Sequence, residues 1–152
     1  MRRVDKKIKD RDQIDAIIKK TNCCRIALVD GDYPYIVPVN FAVSNSHLYF
    51  HSAKEGKKID ILRKNNQVCF EMDNEGEIVN GQRACSWGMK YVSVIGFGQA
   101  FFIEDDIGKK KALDILMEKY AGRSGFSYSD DELEKIIIID VKIDQIYGKQ
   151  SG

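Results

Sequence analysis

Two consecutive lysines in the first turn of a helix work against the helix's own electrostatics, and residues 50–59, Phe50-His51-Ser52-Ala53-Lys54-Glu55-Gly56-Lys57-Lys58-Ile59, place Lys57 and Lys58 where a strand end runs into a helix start. The amides of a first turn carry partial positive charge, so each ammonium there costs roughly a few tenths of a kcal/mol unless an anion docks beside it. Free backbone N–H groups, the Ser52 hydroxyl and the two ammonium groups would together form a phosphate cradle. Without an anion the same residues are a solvated and slightly unfavourable turn. On a strand, His47, Tyr49 and His51 share one face, and His51 lies at the end that meets the turn. An imidazole that titrates near neutrality can hand protons to a substrate there, which makes His51 the candidate catalytic residue; the plainer role is a histidine that caps or packs the turn.

Two further features carry binding chemistry. In Tyr35-Ile36-Val37-Pro38-Val39-Asn40-Phe41 a proline and an asparagine interrupt an otherwise apolar strand, and proline within a strand marks an edge or a bulge. Asn40 then offers its amide to a heterocycle or satisfies the backbone locally. Trp87, the one tryptophan, sits just ahead of a long apolar strand, where it stacks on a ligand, packs at an interface or anchors its loop.

Other patterns fail on inspection. Gly96-Phe97-Gly98 opens like a dinucleotide fingerprint, but Phe101 takes the third glycine position and a strand continues. Gly56-Lys57-Lys58 lacks both the first glycine and the hydroxyl residue of a P-loop. His47 and His51 lie about 13 Å apart on a strand, too far to share a metal, so no metal site is expected. No nucleophile motif supports hydrolysis.

These groups need a scaffold, and 152 residues suit one domain, residues 1–152, able to hide roughly 70% of its unfolded surface. The 24 basic and 23 acidic side chains nearly cancel, so neither nucleic acid nor a membrane surface is an expected partner. Residues 1–10 contain no apolar core of a secretion signal, no run is long enough to span a bilayer, and the four cysteines form no CxxC pair. A cytoplasmic location is expected.

Apolar periodicity predicts a short helix carrying Ile14, Ile17 and Ile18, ended by Lys19 and Lys20, then strands over residues 23–29, 35–43, 47–52 and 67–72. Asp30-Gly31-Asp32 and Ser44-Asn45-Ser46 predict hairpins. Residues 56–65 predict a helix with Ile59 and Leu62 on one face. A strand over 91–103 is apolar on both faces, with Val92, Val94 and Phe102 on one and Ile95, Phe97 and Ile103 on the other, so both are expected to be covered, one of them by a second copy, since a small barrel alone would leave it wet. Leu113, Leu116, Met117 and Tyr120 predict a helix closed by Gly122. The last strand, 136–147, turns Ile137, Ile139, Val141 and Ile143 inward. Residues 74–88 predict a long loop. The sum is a mainly β chain of six strands with helices, a small barrel or sandwich.

Taken in order, these segments resemble the pyridoxamine 5′-phosphate oxidase-like split barrels, most closely their nitroimidazole-resistance branch. The resemblance rests on Met1-Arg2-Arg3, Cys24-Arg25-Ile26-Ala27-Leu28-Val29, residues 34–41, Leu48-Tyr49-Phe50-His51-Ser52-Ala53 with Gly56-Lys57-Lys58, Tyr91-Val92-Ser93-Val94-Ile95-Gly96-Phe97-Gly98, and Ile146-Tyr147-Gly148-Lys149. It implies a six-stranded split β-barrel with flanking helices, and a homodimer with FMN in grooves between protomers. It places the flavin phosphate at His51, Ser52, Lys57 and Lys58, the isoalloxazine over Pro38, Val39 and Asn40, and His51 at the histidine associated with reductive chemistry. Trp87 completes the candidate cofactor set. The implied activity is an FMN-dependent oxidoreductase, nitroreductase-like, passing electrons to a small-molecule acceptor with NAD(P)H as candidate donor. The alternative is a carrier or sensor that holds FMN or haem without turnover. The chain departs from the oxidase proper, having no arginine after Arg123 and no histidine after His51, which argues against oxidation of pyridoxamine 5′-phosphate; Tyr147 replaces a common threonine.

Overall fold

The computed structural model describes residues 4–74 and 76–151; Met1-Arg2-Arg3 lies outside the described residues. Nine strands are described: β1 (Lys7–Ile8), β2 (Cys24–Asp30), β3 (Tyr33–Val39), β4 (Ala42–Ser44), β5 (His47–Ala53), β6 (Gln67–Asp73), β7 (Glu77–Val79), β8 (Gly88–Ile103) and β9 (Ile136–Ser151). The helices are α1 (Arg11–Lys20), α2 (Lys57–Lys64), α3 (Asp106–Ala121) and α4 (Asp130–Glu134).

All the pairings are antiparallel, in the order β3-β2-β6-β8-β9-β5-β4, with β1 added to β9 and β7 to β8. The two end strands, β3 and β4, are consecutive in the chain. Asn40 and Phe41 join them, so the sheet curls until its edges meet across a two-residue link that carries no ladder. This is a split barrel, and the seam is where a single strand over 35–43 was expected. Pro38, which has no N–H to give, sits on the edge strand, as an interrupting proline should.

Alternation fills the barrel. Ile26, Phe50, Phe70, Met72, Val94 and Ile139 are all at 0% exposure, while their chain neighbours face out. Gly96 lies under Phe70, whose ring occupies the place a Cβ would take. Helix α1 adds Ile14, Ile17 and Ile18 to this core, its N-terminus capped by Asp10, whose carboxylate accepts from the Asp12 amide at 3.0 Å. Helix α2 adds Ile59, Ile61 and Leu62 at the end where β2 and β5 finish. The Ser44-Asn45-Ser46 turn has Asn45 at φ 50° and Ser46 at φ 64°, the paired left-handed residues of a tight hairpin.

Several expectations change. Residues 74–88 are not a plain loop: β7 pairs with the start of β8 through Glu77↔Lys90, Ile78↔Met89 and Val79↔Gly88, forming an arm that runs past the end of β6. Strands β8 and β9 are each 16 residues long. In β9, Asp144 is an extra residue between the pairs Ile143↔Gly98 and Gln145↔Phe97, and this bulge switches the inward set from odd positions to Ile146 and Gly148. Strand β8 divides as its two apolar faces imply. Its even face lines the core, but its odd face is bare within one chain, with Ile95 37%, Phe97 44% and Phe101 46% exposed. In register they extend an apolar row, Ile36–Ala27–Cys69–Phe97, across four strands.

Helices α3 and α4 pack on the other part of the outer surface, against β4, β5 and β9. They bury Ala112, Leu116 and Leu133, and β9 is covered on that side as well, with Ile138 at 0% exposure. The Lys109 ammonium, 3% exposed, donates to the Leu133 carbonyl at 2.8 Å. Among the described residues no helix is long and apolar enough to cross a membrane.

Candidate functional site

The β5–α2 turn is built as the charge pattern requires. Gly56 takes the N-cap position of α2 at φ 117° and ψ 166°, a conformation open to glycine, and no side chain caps the helix. The Ile59 and Asp60 amides donate to the Gly56 carbonyl at 2.9 and 3.1 Å, leaving those of Lys57 and Lys58 as the orphan donors of the first turn. A Cβ built on Gly56 would meet nothing within 4 Å, so the mouth of the turn is open.

Both lysines have neighbours on the sheet. Lys57 Nζ lies 3.3 Å from Asp30 Oδ2 and 5.3 Å from the centre of the Tyr35 ring. Lys58 Nζ lies 5.6 Å from the centre of the Phe50 ring, and partial burial holds its ammonium below the ordinary lysine range. Partial burial, and after it the Lys58 charge, hold His51 below its usual 6.5. Each effect penalises positive charge at the turn, and each is relieved by a bound anion. Ser52 follows His51 on β5, half-buried and paired with Ile137 of β9.

The seam brings up the second group. Ala42 pairs with Tyr49, so the chain leading into β4 places Asn40 two residues before that pair, on the side where β5 continues to His51. Val39 packs against the core, while Pro38 and Asn40 are exposed. Asn40 also hydrogen-bonds the Tyr120 hydroxyl, which accepts from the Phe41 amide at 2.9 Å and donates to the Asn22 carbonyl at 2.8 Å. Burial raises the Tyr120 phenol, and its bonds to Phe41 and Asn40 oppose that rise. Asn40 thus ties the end of α3 to the seam.

Trp87 does not join this group within one chain. His51, Ile138 and Ile103 lie in one row across β5, β9 and β8, and Trp87 precedes Gly88 at the far end of the 16-residue β8. That separation is about 50 Å of strand. Trp87 is 55% exposed, beside Met89 at 52% and Ile78 at 66% on the arm.

Three polar features escaped the sequence reading. His47 Nδ1 lies 2.7 Å from Asp140 Oδ1, a contact set by the β5–β9 register, with the Tyr49 ring stacked 6.1 Å away. Arg25 bridges Glu71 at 2.9 Å and Asp73 at 2.5 Å on the bare face. Lys119 donates to the Ile18 carbonyl at 2.7 Å over the Phe41 ring, and burial lowers it to about 8. It borders a groove of about 900 Å³ between α1, the β4–β5 turn and α3, lined by none of the cradle residues. In each case the partners are more than 40 residues apart in sequence, so only strand register or helix packing unites them.

Comparison with known proteins agrees with this architecture. A crystal structure of a candidate 5-nitroimidazole antibiotic resistance protein from Bacteroides thetaiotaomicron superposes with a TM-score of 0.85 at 37% identity, over 95% of this chain and 86% of that one. The FAD and haem binding protein of Mycobacterium smegmatis gives a TM-score of 0.85 at 20% identity, over 96% and 73%, a likeness of fold alone. An uncharacterized protein of Rhizobium meliloti is 32% identical over 66 residues, so the match spans 43% of each chain, less than half the length of that curated relative. The model of the pyridoxamine 5′-phosphate oxidase family matches residues 10–150, and the chain belongs to that family.

Proposed function

We propose that this protein binds FMN and works as a nitroreductase-like oxidoreductase, as a homodimer, with NAD(P)H as electron donor and a small molecule as acceptor. The observation that carries the proposal is the start of α2, which no side chain caps, which has open space at Gly56 and whose first two residues are Lys57 and Lys58. That donor set fits a terminal phosphate: it is compact, cationic and unpartnered by any side-chain cap. Lys57, Lys58 and Ser52 would hold the phosphate, while Pro38, Val39 and Asn40 would flank the ring at the seam. When bound, the flavin supplies the two-electron chemistry that no side chain has. His51 stands on the face of β5 that opens beside the turn, and its role is to hold a proton or anchor the acceptor there.

The dimer is supported by the bare face of β8. Ile36, Ala27, Cys69 and Phe97 form an apolar row across four strands, the kind of surface that a second copy covers. Trp87 then belongs to the cofactor site only if the partner's arm reaches it. The homology at 37% identity to a candidate 5-nitroimidazole resistance protein supports a nitro compound as acceptor.

The test is the absorption spectrum of freshly purified protein, with mass identification of what denaturation releases and steady-state turnover using NAD(P)H and a nitroaromatic. FMN and turnover are expected. Haem, FAD or flavin without turnover with any acceptor would overturn the proposal and favour a carrier.

A further inference from the structure

We infer that Tyr120 of α3 is a positioning residue of the flavin site: it fixes which end of the Asn40 amide the seam presents, so that a carbonyl oxygen meets the one N–H group of the flavin ring. The inference rests on the flavin reading above and extends it from the phosphate to the ring.

The seam needs support from outside the sheet. Asn40 and Phe41 lie between the β2–β3 and β4–β5 ladders and belong to neither, so the sheet gives the Phe41 amide no strand partner. The last turn of α3 supplies one. The Tyr120 hydroxyl accepts from the Phe41 amide at 2.9 Å and donates to the Asn22 carbonyl at 2.8 Å. Beside it, Lys119 Nζ lies 4.1 Å from the centre of the Phe41 ring and donates to the Ile18 carbonyl at 2.7 Å. Two consecutive side chains thus tie the seam to the end of α1 and the segment after it. Gly122, left-handed at φ 68°, closes the turn that carries them, its amide donating to the Glu118 carbonyl at 3.1 Å.

The inventory of the phenol decides the direction of the remaining bond. A tyrosine hydroxyl has one proton and two lone pairs. The proton is committed to Asn22 and one lone pair to Phe41, so toward Asn40 the Tyr120 oxygen can only accept, and the donor is the Asn40 NH2. Burial also raises the phenol, which keeps its proton in place at neutral pH. The amide is planar, so with Nδ2 on Tyr120 its Oδ1 is the end turned away, on an exposed side chain. An acceptor in that place selects a donor. The oxidised flavin ring carries a single N–H, at N3 between two carbonyl groups. A free asparagine would offer either end; one held by Tyr120 offers the acceptor already oriented, and little side-chain freedom remains to be lost on binding.

Titrations with FMN and with 3-methyl-FMN, which lacks the ring N–H, test this. The unaltered protein should bind FMN about tenfold more tightly, the effect of one well-placed hydrogen bond. In Tyr120→Phe and in Asn40→Ala the two flavins should bind within about twofold of each other, and Asn40→Ala removes the amide while keeping the Tyr120 bonds to Phe41 and Asn22. A tyrosine that only anchored α3 would weaken both flavins alike. An unchanged preference in Tyr120→Phe therefore overturns the proposal, as does equal binding of the two flavins by the unaltered protein. A second readout needs no flavin: in nitrogen–proton NMR of the ligand-free protein, the Asn40 NH2 protons should exchange with water more slowly than in Tyr120→Phe. Equal exchange means that the amide is not held, and it overturns the proposal too. If the unaltered protein does not bind FMN, the flavin reading itself fails; if it binds FMN without preferring it over 3-methyl-FMN, the role of Tyr120 fails alone.

Discussion

Replacing Lys57 and Lys58 together by glutamine separates phosphate recognition from recognition of the ring. Lys57 already has Asp30 at 3.3 Å and its side chain is 58% exposed, so its contribution to an anion falls near the low end for a charge-assisted hydrogen bond, about 1 kcal/mol. Lys58 is partly buried, its charge is disfavoured in the free protein, and an anion relieves that cost, so its contribution is about 2 kcal/mol. The sum, about 3 kcal/mol, weakens FMN by about 100-fold. Riboflavin has no phosphate and should weaken by less than about threefold. The free variant should be no less stable, because two positive charges have left the positive end of α2 and each opposed it by about 0.3–1 kcal/mol. Parallel fluorescence titrations with FMN, FAD and riboflavin, together with thermal melts of the free proteins, provide the assay. Equal loss for FMN and riboflavin with unchanged melting would refute the cradle, as would tighter binding of FAD than of FMN by the unaltered protein.

The bare sheet face and the histidine beside the turn give two more tests. Phe97→Asp, at a side chain 44% exposed in the single chain, should convert a dimer to a folded monomer by light scattering; a dimer that survives it would place the interface elsewhere. Burial and Lys58 hold His51 below 6.5, so the unfolded chain binds more protons than the folded one there, and stability is full above 6.5 and declines as pH falls through and below it. Urea midpoints measured between about pH 5 and pH 7 should show that slope reduced in His51→Gln and in Lys58→Gln; slopes that match the unaltered protein would mean that neither group carries it.

Much of this molecule is legible in local pattern because local physics decides it. The spacing of Ile14, Ile17 and Ile18 makes an amphipathic helix wherever it docks, and the Gly31 and Asn45-Ser46 turns use left-handed backbone, which Gly31 and Asn45 adopt more readily than other residues. The conflict of Lys57 and Lys58 with the dipole of α2 is equally local, and the uncapped Gly56 start is where the pattern placed it. What the tertiary structure decided is what lies beside what. A strand's alternation says which residues share a face but not which strand pairs with it, so the His47–Asp140 contact, 93 residues apart, follows only from the β5–β9 register. The arm over 74–88 was hidden because its short strand gains its hydrogen bonds from β8 rather than from its own propensity. The apolar odd face of β8 was visible as composition. Only the packed chain shows which residues stay open: α3 and α4 pack mainly on β4, β5 and β9, and Ile95, Phe97 and Phe101 remain exposed.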